Sequence, residues 1–373
     1  MTAIATSAQT FTVLYNFTGG SDGGYPYAGL VQDATGNLYG TTTAGGAHLK
    51  GTVFRIEING TETVLYSFTG GADGAYPYAE LVQDTAGNLY GTTFEGGDLS
   101  CNAPYFTGCG TVFKVSKTGK ESVLHTFTGT DGCNPDGGLL SDKAGNWYGT
   151  TKACGAVGGG AVYKLNKKGV LTLLHNFPSY QFDGLTPAAG VIMDAKGDLY
   201  GNTIDGGRSG KGTVFKIDTT GTESVLQAFT GGTTDGCYVY GTPTMGSESN
   251  LYGTASECGS FNMGIVWKVN LKGKETVLHN FAGGSSDGDL PFAGVIMDAK
   301  GNFYGTTNRG GASDVGTVYK LNKKGVVTLL HSFAGSDGEF PNGSVLMDAK
   351  GNLYGTSTNG GSGSYGTVWK ITR

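Results

Sequence analysis

Apolar positions along the chain come in short bursts. Runs of four to six residues rich in Val, Leu, Ile, Tyr, Phe and Thr alternate with clusters of Gly, Asn and Asp. That is strand chemistry bounded by turn chemistry. No window sustains an apolar period of 3.6 residues, so the pattern predicts strands and no long helix. The bursts also recur. An LYGT-like string returns seven times, with its tyrosines at Tyr39, Tyr90, Tyr148, Tyr200, Tyr252, Tyr304 and Tyr354, spaced 50 to 58 residues apart. A GTVFKI-like run follows each one (51–56, 110–115, 160–165, 212–217, 264–269, 316–321 and 366–371). A VLYSF-like run also appears seven times, first at 13–17 and then at 64–68, 123–127, 173–177, 225–229, 277–281 and 329–333. A fourth segment, PYAGLVQD at 26–33, precedes each LYGT.

One repeat therefore reads as four strands: A over 27–32, B over 37–42, C over 51–58 and D over 62–68. Four short strands in a period of about 40–50 residues are the signature of a propeller blade. The fold class is all-β, a seven-bladed β-propeller with four antiparallel strands per blade. The chain begins with a D segment (13–17) and ends with a C segment (366–371). The N-terminal strand is thus expected to complete the last blade and close the ring, which also hides two strand edges. Residues 1–10 are expected to form a flexible tail and 11–373 a single domain.

Composition refines this picture. Glycine contributes 69 of 373 residues, far above the usual ~7%. Hydrophobic residues are 38% and aromatics 11%, with 20 Tyr and 18 Phe, enough for a packed core. The glycines fall in turns such as 34–37 and in doublets after strand B, such as Gly45–Gly46, where backbone geometry demands them. The net charge of −5 argues against a nucleic-acid partner, which needs a basic face. No apolar run approaches 18 residues, so no membrane insertion is expected.

The unit NLYGTT…GG…GTVFKI…G…TVLYSF resembles the tandem repeat of the choice-of-anchor GloVer proteins, over essentially residues 11–373. The resemblance implies a bacterial secreted or surface location and no particular reaction. The double glycines are also similar to those of kelch blades, but the spaced Tyr and Trp of kelch are missing.

The A–B and C–D turns are short and nearly constant, whereas the D–A and B–C loops are longer and vary. In a four-stranded meander the two variable loops share one face, the top, where binding is expected. The six cysteines support this register. Cys133 and Cys237 each lie 15 residues before their blade's LYGT tyrosine, and Cys154 and Cys258 each lie six after it. Halves that appear together twice are most simply bonded. The expected pairs are Cys133–Cys154 and Cys237–Cys258, with Cys101–Cys109 closing the long B–C insertion of blade 2. Disulfides imply an oxidising compartment. The stretch ATSAQ after Met1 is expected to be the remainder beyond a removed secretion signal.

Several residue types invite chemistry. Asp22, Asp73, Asp131, Asp183, Asp235, Asp287 and Asp337 recur in DG, six of them with Pro four residues later. A carboxylate ring at the channel mouth would suit Ca²⁺. A side chain capping its own turn is the favoured reading, and neither a cofactor nor a metal site is expected. His125, His175, His279 and His331 share one strand-D position with Tyr15, Tyr66 and Gln227, so they read as structural. The GxSxG strings at 19–23 and 284–288 lack the strand-to-helix setting of a nucleophile elbow.

Breaks in the symmetry say more. Glu80 is the lone charge at a strand-A position held elsewhere by Gly29, Gly138, Gly190, Thr242, Gly294 and Ser344. Two residues earlier stand Tyr27, Tyr78, Asp136, Ala188, Tyr240, Phe292 and Asn342, with Tyr25, Tyr76, Tyr238 and Phe340 just outside. These aromatics form an expected rim at one mouth, suited to stacking on sugar rings, with inter-blade packing as the equal alternative. Tyr105 and Phe106 on the blade 2 insertion, and Tyr180 and Phe182 at the blade 3–4 junction, add to it. Blade 5 is degenerate, with Gly246 and Val239 in place of the repeat's Asp and Pro. The leading expectation is a secreted, monomeric, non-catalytic protein that binds a glycan, a polysaccharide or a surface protein. The alternatives are a polysaccharide lyase or hydrolase using Glu80 and Asp136 with a rim tyrosine, or a purely structural envelope module.

Overall fold

The computed structural model describes residues 9–103, 106–178 and 182–373. Seven antiparallel four-stranded sheets form the blades of a β-propeller, and the described residues outside them contain no helix beyond two 3-10 turns. In blade 1 the strands are Val31–Gln32 (A), Leu38–Thr42 (B), Thr52–Ile56 (C) and Glu62–Ser67 (D). In blade 7, Leu346–Met347, Leu353–Ser357 and Thr367–Thr372 are completed by Thr10–Asn16. That closing strand pairs antiparallel from Thr10↔Thr372 to Asn16↔Thr367. The ring closes as the segment order predicts, but the strand starts at Thr10. Gln9 also bonds the Leu330 carbonyl. Residues 1–8 lie outside the described residues.

Strand A is shorter than expected. Only two of its residues pair with strand B in each blade. The carbonyls before them serve the neighbouring blade. The strand-B residue two beyond the repeat tyrosine donates to a carbonyl just before strand A of the next blade in all seven junctions, for example Thr150 Oγ1 to Ala189 O at 2.8 Å and Thr356 Oγ1 to Ala28 O at 2.8 Å. The Thr356 bond joins blades 7 and 1 in the same way as the others.

The glycine of LYGT has a packing cause. A Cβ there would lie 2.3–2.7 Å from the strand-C aromatic, as at Gly40 against Phe54 and Gly355 against Trp369. These aromatics and the Phe ending each strand D are fully buried, as at Phe54 and Phe17, whose rings meet edge-on at 5.1 Å. In six of the seven junctions the proline after DG packs its Cδ against the glycine opening strand C of the preceding blade, as Pro77 does on Gly51. The core therefore sits between blades, in seven clusters.

On the top face, a short antiparallel contact ties each D–A loop to its own B–C loop, from Gly24↔Ala44 to Glu339↔Asn359. Two of the three expected disulfides reinforce this contact, Cys133–Cys154 and Cys237–Cys258, and the third, Cys101–Cys109, closes the blade 2 insertion.

The DG aspartates do not ring the channel. Each faces the outer strand D before it, where Asp22 accepts from the Tyr15 hydroxyl and the Thr18 amide. Four take a histidine instead: His125–Asp131, His175–Asp183, His279–Asp287 and His331–Asp337, at 2.8–3.0 Å. A carboxylate ring for Ca²⁺ at the mouth is therefore excluded by position, and the histidines serve the loop turns.

Candidate functional site

The central channel is built by the residues just before strand A. Their carbonyls turn to the preceding blade, which aims alternate side chains inward. Tyr27, Tyr78, Asp136, Ala188, Tyr240, Phe292 and Asn342 line its top mouth, and Glu80 lies one level deeper with Gly29, Gly138, Gly190, Thr242, Gly294 and Ser344. The cavity at this mouth is small, about 100 Å³. Glu80 also borders a wider bowl of about 660 Å³ on the opposite face, lined by Ile296, Met297, Leu346 and Met347. It sits at the neck between the two.

The mouth is not seven-fold. Tyr27 and Tyr78 meet edge-on at 5.5 Å, and Tyr240 and Phe292 do so at 5.1 Å on the other side. Ala188 leaves a gap between Asp136 and Tyr240. Asn342 is tied down, accepting from Asn308 and donating to Thr358. Asp136 pairs with Lys152 Nζ at 3.2 Å. Burial raises the Asp136 carboxyl, with Lys152 pulling the other way. Burial, then Asp136, also raises the Tyr27 and Tyr78 hydroxyls, so both stay neutral donors. Burial alone pushes Glu80 up to about 7.

The ring contacts continue outward. Tyr78 meets Phe94 at 5.4 Å, and Phe94 meets Phe106 at 4.9 Å, both edge-on. Phe106 is 41% exposed. Beside this series lies a groove of about 260 Å³ bounded by Phe94, Phe106, Asn134, Lys152, Leu185 and Thr186. Lys152 lies 5.7 Å from the Phe94 ring centre as well as on Asp136. Phe94 and Lys152 are absent from the sequence-derived candidates. A signal existed: the residue after LYGTT is Thr43, Phe94, Lys152, Ile204, Ser256, Asn308 and Thr358, a position that varies in every blade but two.

The outer rim behaves differently. Tyr25, Tyr76 and Tyr238 are held by the preceding blade through main-chain bonds to Tyr365, Lys50 and Lys211. The Tyr76 and Tyr238 hydroxyls accept from Lys50 and Lys211, while the Tyr25 ring meets Tyr365 edge-on at 5.4 Å. All seven equivalents, including Asn134, Thr186, Leu290 and Phe340, have φ between 54° and 62°. The outer rim is thus part of the blade junction. The inner four aromatics line the channel mouth, and Phe106 is exposed beyond them. Phe182 is exposed on its loop, and Tyr105 and Tyr180 lie outside the described residues.

No described helix is long and apolar enough to cross a membrane. No curated protein matches the chain. Among solved structures, the extracellular domain of a protein assigned to a hybrid two-component system in B. thetaiotaomicron aligns with a TM-score of 0.54 at 13% identity, over 97% of this chain and 41% of that one. A gluconolactonase from Xanthomonas campestris aligns with a TM-score of 0.43 at 12% identity, over 77% of this chain and 82% of that one. At such identities the likeness concerns the fold. The three disulfides are consistent with an oxidising, extracellular location. The sequence pattern of the Gloeobacter/Verrucomicrobia repeat matches three successive stretches, residues 3–105, 103–244 and 233–373, and the chain belongs to that family.

Proposed function

We propose that this propeller is a secreted, non-catalytic binding protein whose top face holds a polysaccharide. The observation that carries this reading is the continuous series of rings Tyr27–Tyr78–Phe94–Phe106 from the channel mouth to the exposed edge. Aromatic faces give a sugar ring a large apolar contact at little entropic cost. Asp136 and Lys152 beside them offer a charged acceptor and donor for hydroxyls, and such bonds are stronger than neutral ones. The groove suits an extended chain lying from blade 2 toward blade 4.

The test is binding to immobilised plant, fungal and bacterial polysaccharides by the full chain and by Tyr78→Ala, Phe106→Ala and Tyr240→Ala. Selective binding that falls tenfold or more in Tyr78→Ala and Phe106→Ala supports the reading. Binding indifferent to both variants, or none across the panel, overturns it. Glu80 favours a second reading as a lyase or hydrolase, because a carboxyl near 7 both gives and takes a proton at neutral pH. Release of shorter or unsaturated sugars, lost in Glu80→Gln, would establish it.

A further inference from the structure

Strand D of each blade opens with a side chain that faces the DG aspartate of the blade before it. Four of these seven side chains are Glu62, Glu121, Glu223 and Glu275, and three are Phe11, Leu171 and Val327. The apolar three lie at His–Asp junctions, where Phe11 stacks on His331 at 3.5 Å. Glu62 and Glu121 meet Tyr15–Asp22 and Tyr66–Asp73, and Glu275 meets Gln227 and Asp235. The junction of blades 3 and 4 combines the two kinds. His175, Asp183 and Glu223 converge there, their ligating atoms all within 4.8 Å of one another.

We propose that these three side chains bind a divalent transition-metal ion, Zn²⁺ by their chemistry, at the outer rim between blades 3 and 4. Imidazole nitrogen and carboxylate oxygen both bind zinc, and three protein donors with a fourth position left for water is the arrangement of an open zinc site. His175 Nε2 and Asp183 Oδ2 are already 3.0 Å apart. Two donors at tetrahedral zinc stand about 3.3 Å apart, from bond lengths of ~2.0–2.1 Å, so a small movement of Glu223 completes the set. Glu223 Oε1 is buried without a hydrogen-bond partner, as are the equivalent oxygens of Glu62, Glu121 and Glu275, but among the described residues only Glu223 has a histidine and an aspartate converging on it.

The ligands are also held from behind. Asp183 Oδ1 accepts from the Gly184 amide at 2.6 Å, leaving Oδ2 for the metal. The His175 ring packs edge-on against Phe177 at 4.6 Å, which fixes its plane. Such outer contacts orient metal ligands. His175 and Asp183 keep about a fifth of their side-chain surface open, a path for the ion.

The repeats supply the variants. Glu223→Leu installs the residue type that stands opposite His125, and His175→Tyr installs the one that stands at Tyr66. Titrating Zn²⁺ into the metal-stripped full chain, by calorimetry and thermal melting, should give one site that raises Tm. Either substitution should weaken it at least tenfold, while Ca²⁺ and Mg²⁺ leave Tm unchanged. Val327→Glu should add a second site at His279–Asp287, because it recreates the same three donors. No Zn²⁺ binding by the native chain, or binding equal in Glu223→Leu and His175→Tyr, overturns the proposal. The site lies away from the channel, so this result is independent of the polysaccharide experiment.

Discussion

At the residue scale, the aspartate that ends strand A does most to fix a blade's lower turn. Asp298 Oδ1 accepts from the amides of Lys300 and Asn302, and Oδ2 accepts from Asn302 Nδ2 and the Tyr304 hydroxyl. Partial burial works to raise its carboxyl, but these bonds outweigh it and lower it to about 2. Its contribution is therefore present above the unfolded value of ~4 and lost as pH falls through about 2. Asp298→Ala should cost ~2 kcal/mol, because bonds to a charged group are worth more than neutral ones. Urea denaturation at pH 7 checks this, and a loss under ~0.5 kcal/mol would contradict it. Blade 5 has no such aspartate. Gly246 stands there, and the Tyr252 ring edge lies 2.5 Å from where a Cβ would be. The sequence marks Gly246 as unusual, but not that the ring occupies the vacated space.

At the scale of elements, the recurring apolar bursts located strands B, C and D to within a few residues, B and C because both their faces are buried. They overestimated strand A, where the backbone carbonyls before the paired residues bond to the preceding blade, an interaction no local pattern encodes. The left-handed outer-rim residues were likewise hidden. Tyr and Leu seldom take positive φ, and here main-chain bonds on both sides impose it. The channel residues were legible because they break a seven-fold pattern, whereas Phe94 and Lys152 stand at a position that varies too freely to single them out. The cysteines were legible because two blades carry the same pair. Replacing Cys133 and Cys154 together by Ala, across a separation of 21 residues, should cost ~3 kcal/mol. Chemical denaturation against the native chain measures it.

Inter-blade carboxyl pairs set a second expectation at this scale. Burial, then the facing aspartate, pushes Glu62, Glu121 and Glu223 up to about 7 and Glu275 to about 8. Unfolded glutamate titrates near ~4.3, so the folded state holds more protons between these values. The stability these groups give is complete below ~4.3 and is lost as pH rises through about 7 to 8. The turn aspartates act in the opposite direction at low pH. Thermal stability should therefore peak near pH ~5 and decline toward pH ~8.5. Glu275→Gln should make that decline shallower, and an identical slope would refute the assignment.

At the scale of the whole molecule, stability depends on a join between chain ends. Blade 7 takes its outer strand from Thr10–Asn16, and Phe11 covers His331 and Trp369. Deleting residues 1–16 would expose the edge of Thr367–Thr372 and leave the buried Val368 and Trp369 without cover on that side. An unpaired strand edge is a template for association. The shortened chain should lose its cooperative melt and elute from size exclusion as oligomers. A permuted chain distinguishes the lost strand from the lost connection. Moving residues 9–16 to a place after Arg373, through a copy of the 322–326 turn, would make blade 7 continuous, like the other six, and put the opening between blades 7 and 1. There the Thr356–Ala28 bond and the Phe17–Phe54 contact remain. The permuted chain should melt cooperatively as a monomer within a few degrees of the native one. If it instead behaves like the deletion, the covalent link from Asn16 to Phe17 holds the ring shut, rather than the pairing of the strand.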